Sequence, residues 1–288
     1  SSLAARLKIS TLVIGMTIVA MGTSAPELLV STVAATEGNS GIALGNVLGS
    51  NIANIGLILG LTAIICPVVS NGRKVVYNST VMILTALLLA VLAVTGGRLS
   101  RTEGIVLFLL LVCFVVASIM DGRRENGDDN NDTLQLQAKS VMSVGKASIL
   151  VVLSIVALPI GARLSVQGAS EIARYIGVSE RVIGLTVVAL GTSLPELTAS
   201  VIAALKKQMD ISIGNIIGSN IFNVLCVLGL SVSIRPMDFT ISDYYMDFAA
   251  MMVFYLTLHL ALLSKGKIGR LLGTAMLTLY VVYVVSLF

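Results

Sequence analysis

Apolar runs of about 20 residues follow one another along nearly the whole chain, interrupted only by short polar breaks. About 20 residues is the length a helix needs to cross the hydrocarbon of a bilayer. Lipid offers the backbone no hydrogen-bond partners, so only helices and closed barrels span it. A barrel would show short alternating segments, and these runs do not alternate. The chain of 288 residues is 56% hydrophobic and 12% charged, with a mean hydropathy of +0.97, which excludes a soluble globular domain. The fold class expected is therefore all-α, a polytopic membrane protein built as a helical bundle. Candidate spans fall at 11–35, 42–66, 75–95, 103–120, 146–165, 178–204, 211–234, 245–263 and 267–287. Residues 121–137, DGRRENGDDNNDTLQLQ, are charged and poor in apolar side chains and read as a solvated linker. The formal charge of +4 calls for no nucleic-acid partner. Cys66, Cys113 and Cys226 lie far apart in apolar runs and read as small buried hydrophobes rather than disulfide partners.

The two sides of the linker repeat each other. GMTIVAMGTSAPELLVST (15–32) aligns with GLTVVALGTSLPELTASV (184–201), and GNVLGSNIANIGLILGL (45–61) with GNIIGSNIFNVLCVLGL (214–230). Both alignments share one offset, 169 positions from Gly15 to Gly184, as expected of a duplicated unit. The run holding Glu196 comes five steps after the run holding Glu27, with four spans between them. An odd number of crossings turns the second copy upside down, the inverted repeat of many secondary transporters. The domains expected are a first repeat at 1–120, a linker at 121–145 and a second repeat at 146–288. The span at 147–166 precedes the second motif and has no partner before the first. Nine spans of an expected ten are therefore present, the first helix belonging before Ser1. With the linker cytoplasmic, thirteen of the 19 Lys and Arg fall on the inner side, a positive-inside bias. The expected location is the inner cell membrane, as a multi-pass protein.

Each motif carries a glutamate where hydrocarbon is expected. A carboxylate at a helix centre costs about 2.5–3.5 kcal/mol on insertion scales. Glu27 and Glu196 occupy equivalent places in inverted copies, so they are expected to meet at one depth and to repel unless protons or cations lie between them. Thr23 and Ser24 precede Glu27 by four and three residues, and Thr192 and Ser193 precede Glu196 in the same way. Pro26 and Pro195 lack the N–H that would engage the carbonyls of Gly22 and Gly191, so both helices should break there. On the partner segments Ser50 and Asn54, and Ser219 and Asn223, stand four apart. The donors are all hard oxygens, with no clustered His or thiolate. That set disfavours zinc and copper and suits calcium and sodium better than magnesium. Asn51 and Asn220 point away from this face and read as helix–helix hydrogen bonders. His259 stands alone and reads as a packing or interfacial residue.

With GTSAPE…GNVLGSNIAN and GTSLPE…GNIIGSNIFN, the chain resembles the sodium/calcium exchanger family of the cation/calcium exchanger superfamily, in a prokaryotic form. The resemblance covers both motifs and the span order. It implies ten helices around a central cation site and, position by position, the metal ligands Thr23, Ser24, Glu27, Ser50, Asn54, Thr192, Ser193, Glu196, Ser219 and Asn223. It adds the backbone carbonyls of Ala20 and Ala189. It implies calcium export against sodium, commonly three sodium ions per calcium, with no cofactor beyond the transported Ca2+ and Na+. It also makes the 147–166 helix half of a sliding gate. Some relatives, the potassium-dependent exchangers among them, have Asp where this chain has Asn223, which weakens potassium coupling. Proton/calcium antiport, potassium-dependent sodium/calcium exchange and, in a different class, a cation channel are the alternatives. An enzyme is disfavoured, because no nucleophile–base pair or metal triad is present.

Overall fold

The computed structural model describes residues 10–69, 72–125, 175–238, 241–264 and 266–288, with a few positions between 161 and 172. The linker at 121–145, apart from its first residues, and most of the span expected at 146–165 lie outside them.

Among the described residues, five helices are long and apolar enough to cross a membrane, and two bent pairs bring the number to seven if each is one span. The first pair is α1 (Thr11–Thr23) and α2 (Ala25–Glu37), bent by 44°. Then come α3 (Ser40–Ile65), α4 (Arg73–Gly96) and α5 (Arg101–Glu125). The second half repeats the order: α6 (Glu180–Thr192) and α7 (Leu194–Leu205), bent by 45°, then α8 (Met209–Ile234), α9 (Ile241–Ser264) and α10 (Arg270–Val285). The expectation of nine spans is met in part. The run at 267–287 forms a helix of only 16 residues. At about 1.5 Å per residue that is shorter than a hydrocarbon core of about 30 Å.

The start and stop signals recur at the same offset. Ser10 caps α1 by accepting from the Val13 N–H, and Ser179 caps α6 by accepting from the Val182 N–H. Gly97 after α4 and Gly266 after α9 both take positive φ, 60° and 56°. Gly38 after α2 does so at 91°, but its counterpart is Lys207 at 58°, a conformation that costs a side-chain-bearing residue about 1 kcal/mol. One shared feature has no visible sequence signal. All four motif segments contain a π-helical turn, at Gly15–Val19, Asn54–Leu59, Gly184–Val188 and Asn223–Leu228. Such wide turns often mark functional stretches of a helix.

The inversion follows from contacts. Within the first half α2 and α3 run antiparallel: Asn46 reaches the Glu27 carbonyl while Ser31 reaches the Ala43 carbonyl. Across the halves α3 runs parallel to α6, with Gly45 against Arg181 and Gly49 against Leu185. The Glu27 segment therefore runs opposite to the Glu196 segment. Gly49 and Gly218 make this approach possible, since an added Cβ would lie 2.4 Å from the Leu185 carbonyl oxygen and 2.5 Å from that of Met16.

Burial sorts the helices into centre and periphery. The apolar windows of α3 and α8 are 78% and 83% buried, that of α5 only 22%. Exposed Leu84, Leu87, Val91, Leu109 and Leu110 on α4 and α5 face outward, as lipid-facing side chains do. Two short antiparallel strand pairs join the halves. Val68–Val69 (β1) pairs with Lys267–Ile268 (β4), and Arg98–Leu99 (β2) with Met237–Asp238 (β3). The cysteines are free, as expected of unpaired thiols, but they are not deeply buried: Cys113 is exposed on α5 and the other two are half-buried.

Candidate cation site

Both bent pairs break at a serine. Ser24 (φ −82°, ψ 7°) and Ser193 (φ −84°, ψ 6°) leave the helical region, and proline opens the next helix within its first two positions. Proline suits that place because its fixed φ is helical and its missing N–H has no partner there anyway. The break puts Glu27 and Glu196 in the first turns of α2 and α7. The first N–H groups of each of these helices have no partner within the helix.

Both glutamates have 0% exposure. Their contacts cross between repeats. Ser193 Oγ donates to Glu27 Oε1 at 3.1 Å, and Ser24 Oγ donates to Glu196 Oε1 at 3.1 Å. Ser219 Oγ lies 3.5 Å from the same Glu196 oxygen. The second oxygen of each carboxylate, Oε2, has no hydrogen-bond partner. Neither have Ser50 Oγ, both amide atoms of Asn54, nor Asn223 Oδ1. Buried polar atoms without partners are rare in folded proteins. Here six of them belong to residues singled out in the two motifs, on α2, α7 and the two segments that pack against them. Among the described residues no group of three or more His, Cys, Asp or Glu is placed to hold a metal. The chamber is thus two carboxylates among neutral oxygens, a donor set for hard cations.

The threonines and the two alanine carbonyls behave differently from the serines. Thr192 Oγ1 lies 3.0 Å from Asn46 Oδ1 and 3.2 Å from the Ala189 carbonyl oxygen. Thr23 Oγ1 lies 3.2 Å from both Asn215 Oδ1 and the Ala20 carbonyl oxygen. Those carbonyls also accept the N–H groups of Ser24 and Ser193. Asn46 and Asn215 are site residues that the sequence reading passed over. The available signal was their place in a stripe, Asn46–Ser50–Asn54 and Asn215–Ser219–Asn223, spaced by one helical turn.

Asn51 and Asn220 are helix-bonding residues, as expected. Asn51 Oδ1 accepts from Asn223 Nδ2 at 3.1 Å, which commits that amide nitrogen and leaves its oxygen free. Asn220 Oδ1 accepts the Tyr255 hydroxyl at 3.0 Å. His259 Nδ1 lies 2.8 Å from Ser79 Oγ, a bond between α9 and α4 rather than part of the chamber. A third wholly buried acid, Asp247, was also passed over. It lies on α9 and bonds to Arg181 at 2.8 Å and to the Tyr283 hydroxyl at 2.8 Å. It sits outside the chamber, and its charge is met by that arginine.

Inverted repeats of broken helices that bring two buried carboxylates together with unpartnered neutral oxygens are the build of a membrane transporter of small cations. Residues 1–120 and 146–288 match the family described as sodium/calcium exchanger protein. The chain belongs to that family and is a cation/calcium exchanger, not an enzyme. CaxA of Alkalimonas amylolytica is 40% identical over 292 residues, covering 100% of this chain and 91% of that protein. The sodium/calcium exchanger MaX1 of Methanosarcina acetivorans is 33% identical over 321 residues, covering 100% and 92%. Inner membrane protein YrbG of Escherichia coli is 35% identical over 248 residues, covering 85% and 76%. A solved structure of the sodium-calcium exchanger NCX_Mj, soaked with 10 mM Na+ and zero Ca2+, superposes with a TM-score of 0.74 at 34% identity. That superposition covers 99% of this chain and 90% of the other.

Proposed function

We propose that this chain exports calcium in exchange for sodium, by alternating access to one site between its repeats. Its ligands are Thr23, Ser24, Glu27, Ser50 and Asn54 with Thr192, Ser193, Glu196, Ser219 and Asn223, and the Ala20 and Ala189 carbonyls. The repeats are 1–120 and 146–288. The linker at 121–145 is cytoplasmic, and the protein sits in the inner cell membrane. One observation carries this reading: two fully buried carboxylates each keep one oxygen without a protein partner, within a group of equally unpartnered neutral donors.

Two carboxylates supply two negative charges. One calcium ion neutralises them, and so do two sodium ions, with a third held by hydroxyl and carbonyl oxygens. Because the ligands are shared, calcium and a full sodium load exclude each other. A dianionic chamber without its cations is too costly to move past an apolar barrier, so the switch of access is tied to occupancy. One calcium for three sodium ions moves one net charge, worth about 2.3 kcal/mol per 100 mV.

The test is calcium uptake into vesicles holding the full chain. An outward sodium gradient should drive uptake with a net current, and Glu196→Gln should abolish it. Equal uptake driven by a proton gradient without sodium would move the chain to proton/calcium antiport. Calcium flux with no counter-ion would make it a channel.

A further inference from the structure

We propose that Asn46 and Asn215 are positioning residues for the transported cation. Each takes the hydroxyl proton of a threonine from the opposite repeat, which leaves that threonine oxygen and an alanine carbonyl turned to the cation. This rests on the chamber being the exchange site.

The orientation of each amide is fixed by chemistry. Asn46 Nδ2 lies 3.3 Å from the Glu27 main-chain oxygen, which can only accept, and 2.9 Å from Ser31 Oγ. Ser31 spends its own proton on the Ala43 carbonyl, so it accepts from Asn46. Both amide hydrogens are then used, and Oδ1 must face Thr192 at 3.0 Å. Asn215 Nδ2 likewise lies 3.4 Å from the Glu196 main-chain oxygen, which can only accept, and 3.0 Å from Ser200 Oγ, and its Oδ1 faces Thr23 at 3.2 Å; here Ser212 donates to the Ser200 carbonyl, and Ser219 Oγ is a further neighbour of Thr23 at 3.5 Å. Asn46 and Asn215 are both wholly buried.

A threonine hydroxyl has one proton and two lone pairs. Two acceptors compete for the Thr192 proton: Asn46 Oδ1 and the Ala189 carbonyl. The Ala189 oxygen already receives the Ser193 N–H, so a second donor would use its remaining lone pair. By drawing the proton to itself, Asn46 keeps that lone pair and those of Thr192 free. It also ties the Glu27 main chain to the other repeat. One side chain therefore sets donors of both halves, and without it the Thr192 proton falls back on the Ala189 carbonyl.

The test is a double-mutant cycle on the full chain, read by equilibrium calcium binding and by initial rates of calcium uptake. Asn46→Leu and Thr192→Val should each weaken calcium about tenfold, with the maximum rate within about twofold. The double variant should be scarcely weaker than either single one. Thr192→Ser, which keeps the proton, should stay near wild type. The mirror cycle, Asn215→Leu with Thr23→Val, should give the same pattern, and Asn46→Ser replaces Asn46→Leu if the latter does not fold. Additive losses of about a hundredfold, or a lower maximum rate at unchanged calcium affinity, would overturn the proposal. Sodium-driven uptake by the wild-type chain tests the exchange reading alone. The coupling between positions 46 and 192 is read from binding, which needs no transport.

Discussion

Ser193 donates its hydroxyl to Glu27 at 3.1 Å across the boundary between repeats, and Ser24 returns the same bond to Glu196. The two bonds are equivalent under the inversion, so their loss should cost alike. Ser24→Ala and Ser193→Ala should each weaken calcium by about ten- to a hundredfold, as for a hydrogen bond to a charged group. Concentration series of calcium uptake check this. A difference of more than tenfold between the two variants would contradict equivalence.

Gly49 and Gly218 allow main chains to touch, and a methyl group at either would meet backbone that cannot yield. Gly49→Ala and Gly218→Ala should each destabilise the fold by about 1–3 kcal/mol, the range for overpacking. Gly96→Ala is the control, since nothing lies within 4 Å of a Cβ there. Thermal unfolding in detergent separates the three.

Asp247 is wholly buried and its arginine is partly so, with side-chain exposures of 0% and 29%. Arg181 also donates to the Asp243 carbonyl and lies 5.5 Å from the centre of the Tyr244 ring. Removing one partner of a buried pair strands the other charge, at about 3–5 kcal/mol. Arg181→Leu should therefore destabilise more than Arg181→Leu combined with Asp247→Asn. Leu12, Asn78 and Phe114 occupy the equivalent places in the first half, a combination without charge. Urea or thermal melts of the single and double variants give the comparison.

Tyr255 donates to Asn220, whereas its counterpart in the first repeat is Ala86. Tyr255→Phe leaves a buried amide oxygen without its donor and should cost about 1–3 kcal/mol of stability. Its calcium KM should stay unchanged, because Asn220 is turned to α9 and not to the chamber. Asn51→Leu is the contrast: it frees the Asn223 amide to rotate and should raise the calcium KM. A raised KM in Tyr255→Phe would show that Asn220 acts on the cation.

Much of this was legible in residues 15–61 and 184–230. Duplication announced the inversion, and Pro26 and Pro195 announced the broken helices, because both act through the covalent chain. Ser24 and Ser193 could be named as polar neighbours of the glutamates, but not as donors to the opposite repeat, since that partner is chosen by the fold. The π-helical turns were invisible because Gly15–Val19 and Asn54–Leu59 have the same apolar composition whether a turn is narrow or wide. Asn46 and Asn215 were overlooked because an asparagine beside a glycine reads as loop or packing until its three partners are in place. Asp247 was overlooked because its compensating charge, Arg181, lies 66 positions away.

The strand pairs have a mechanical consequence. β1 joins β4 and β2 joins β3, so on each side of the bilayer a loop of one repeat is stitched to a loop of the other. Halves basted together along both hems must break both seams before they can hinge open like a book. Under the proposed exchange, the parts that expose the site to one compartment and then the other are expected to travel over this seamed block.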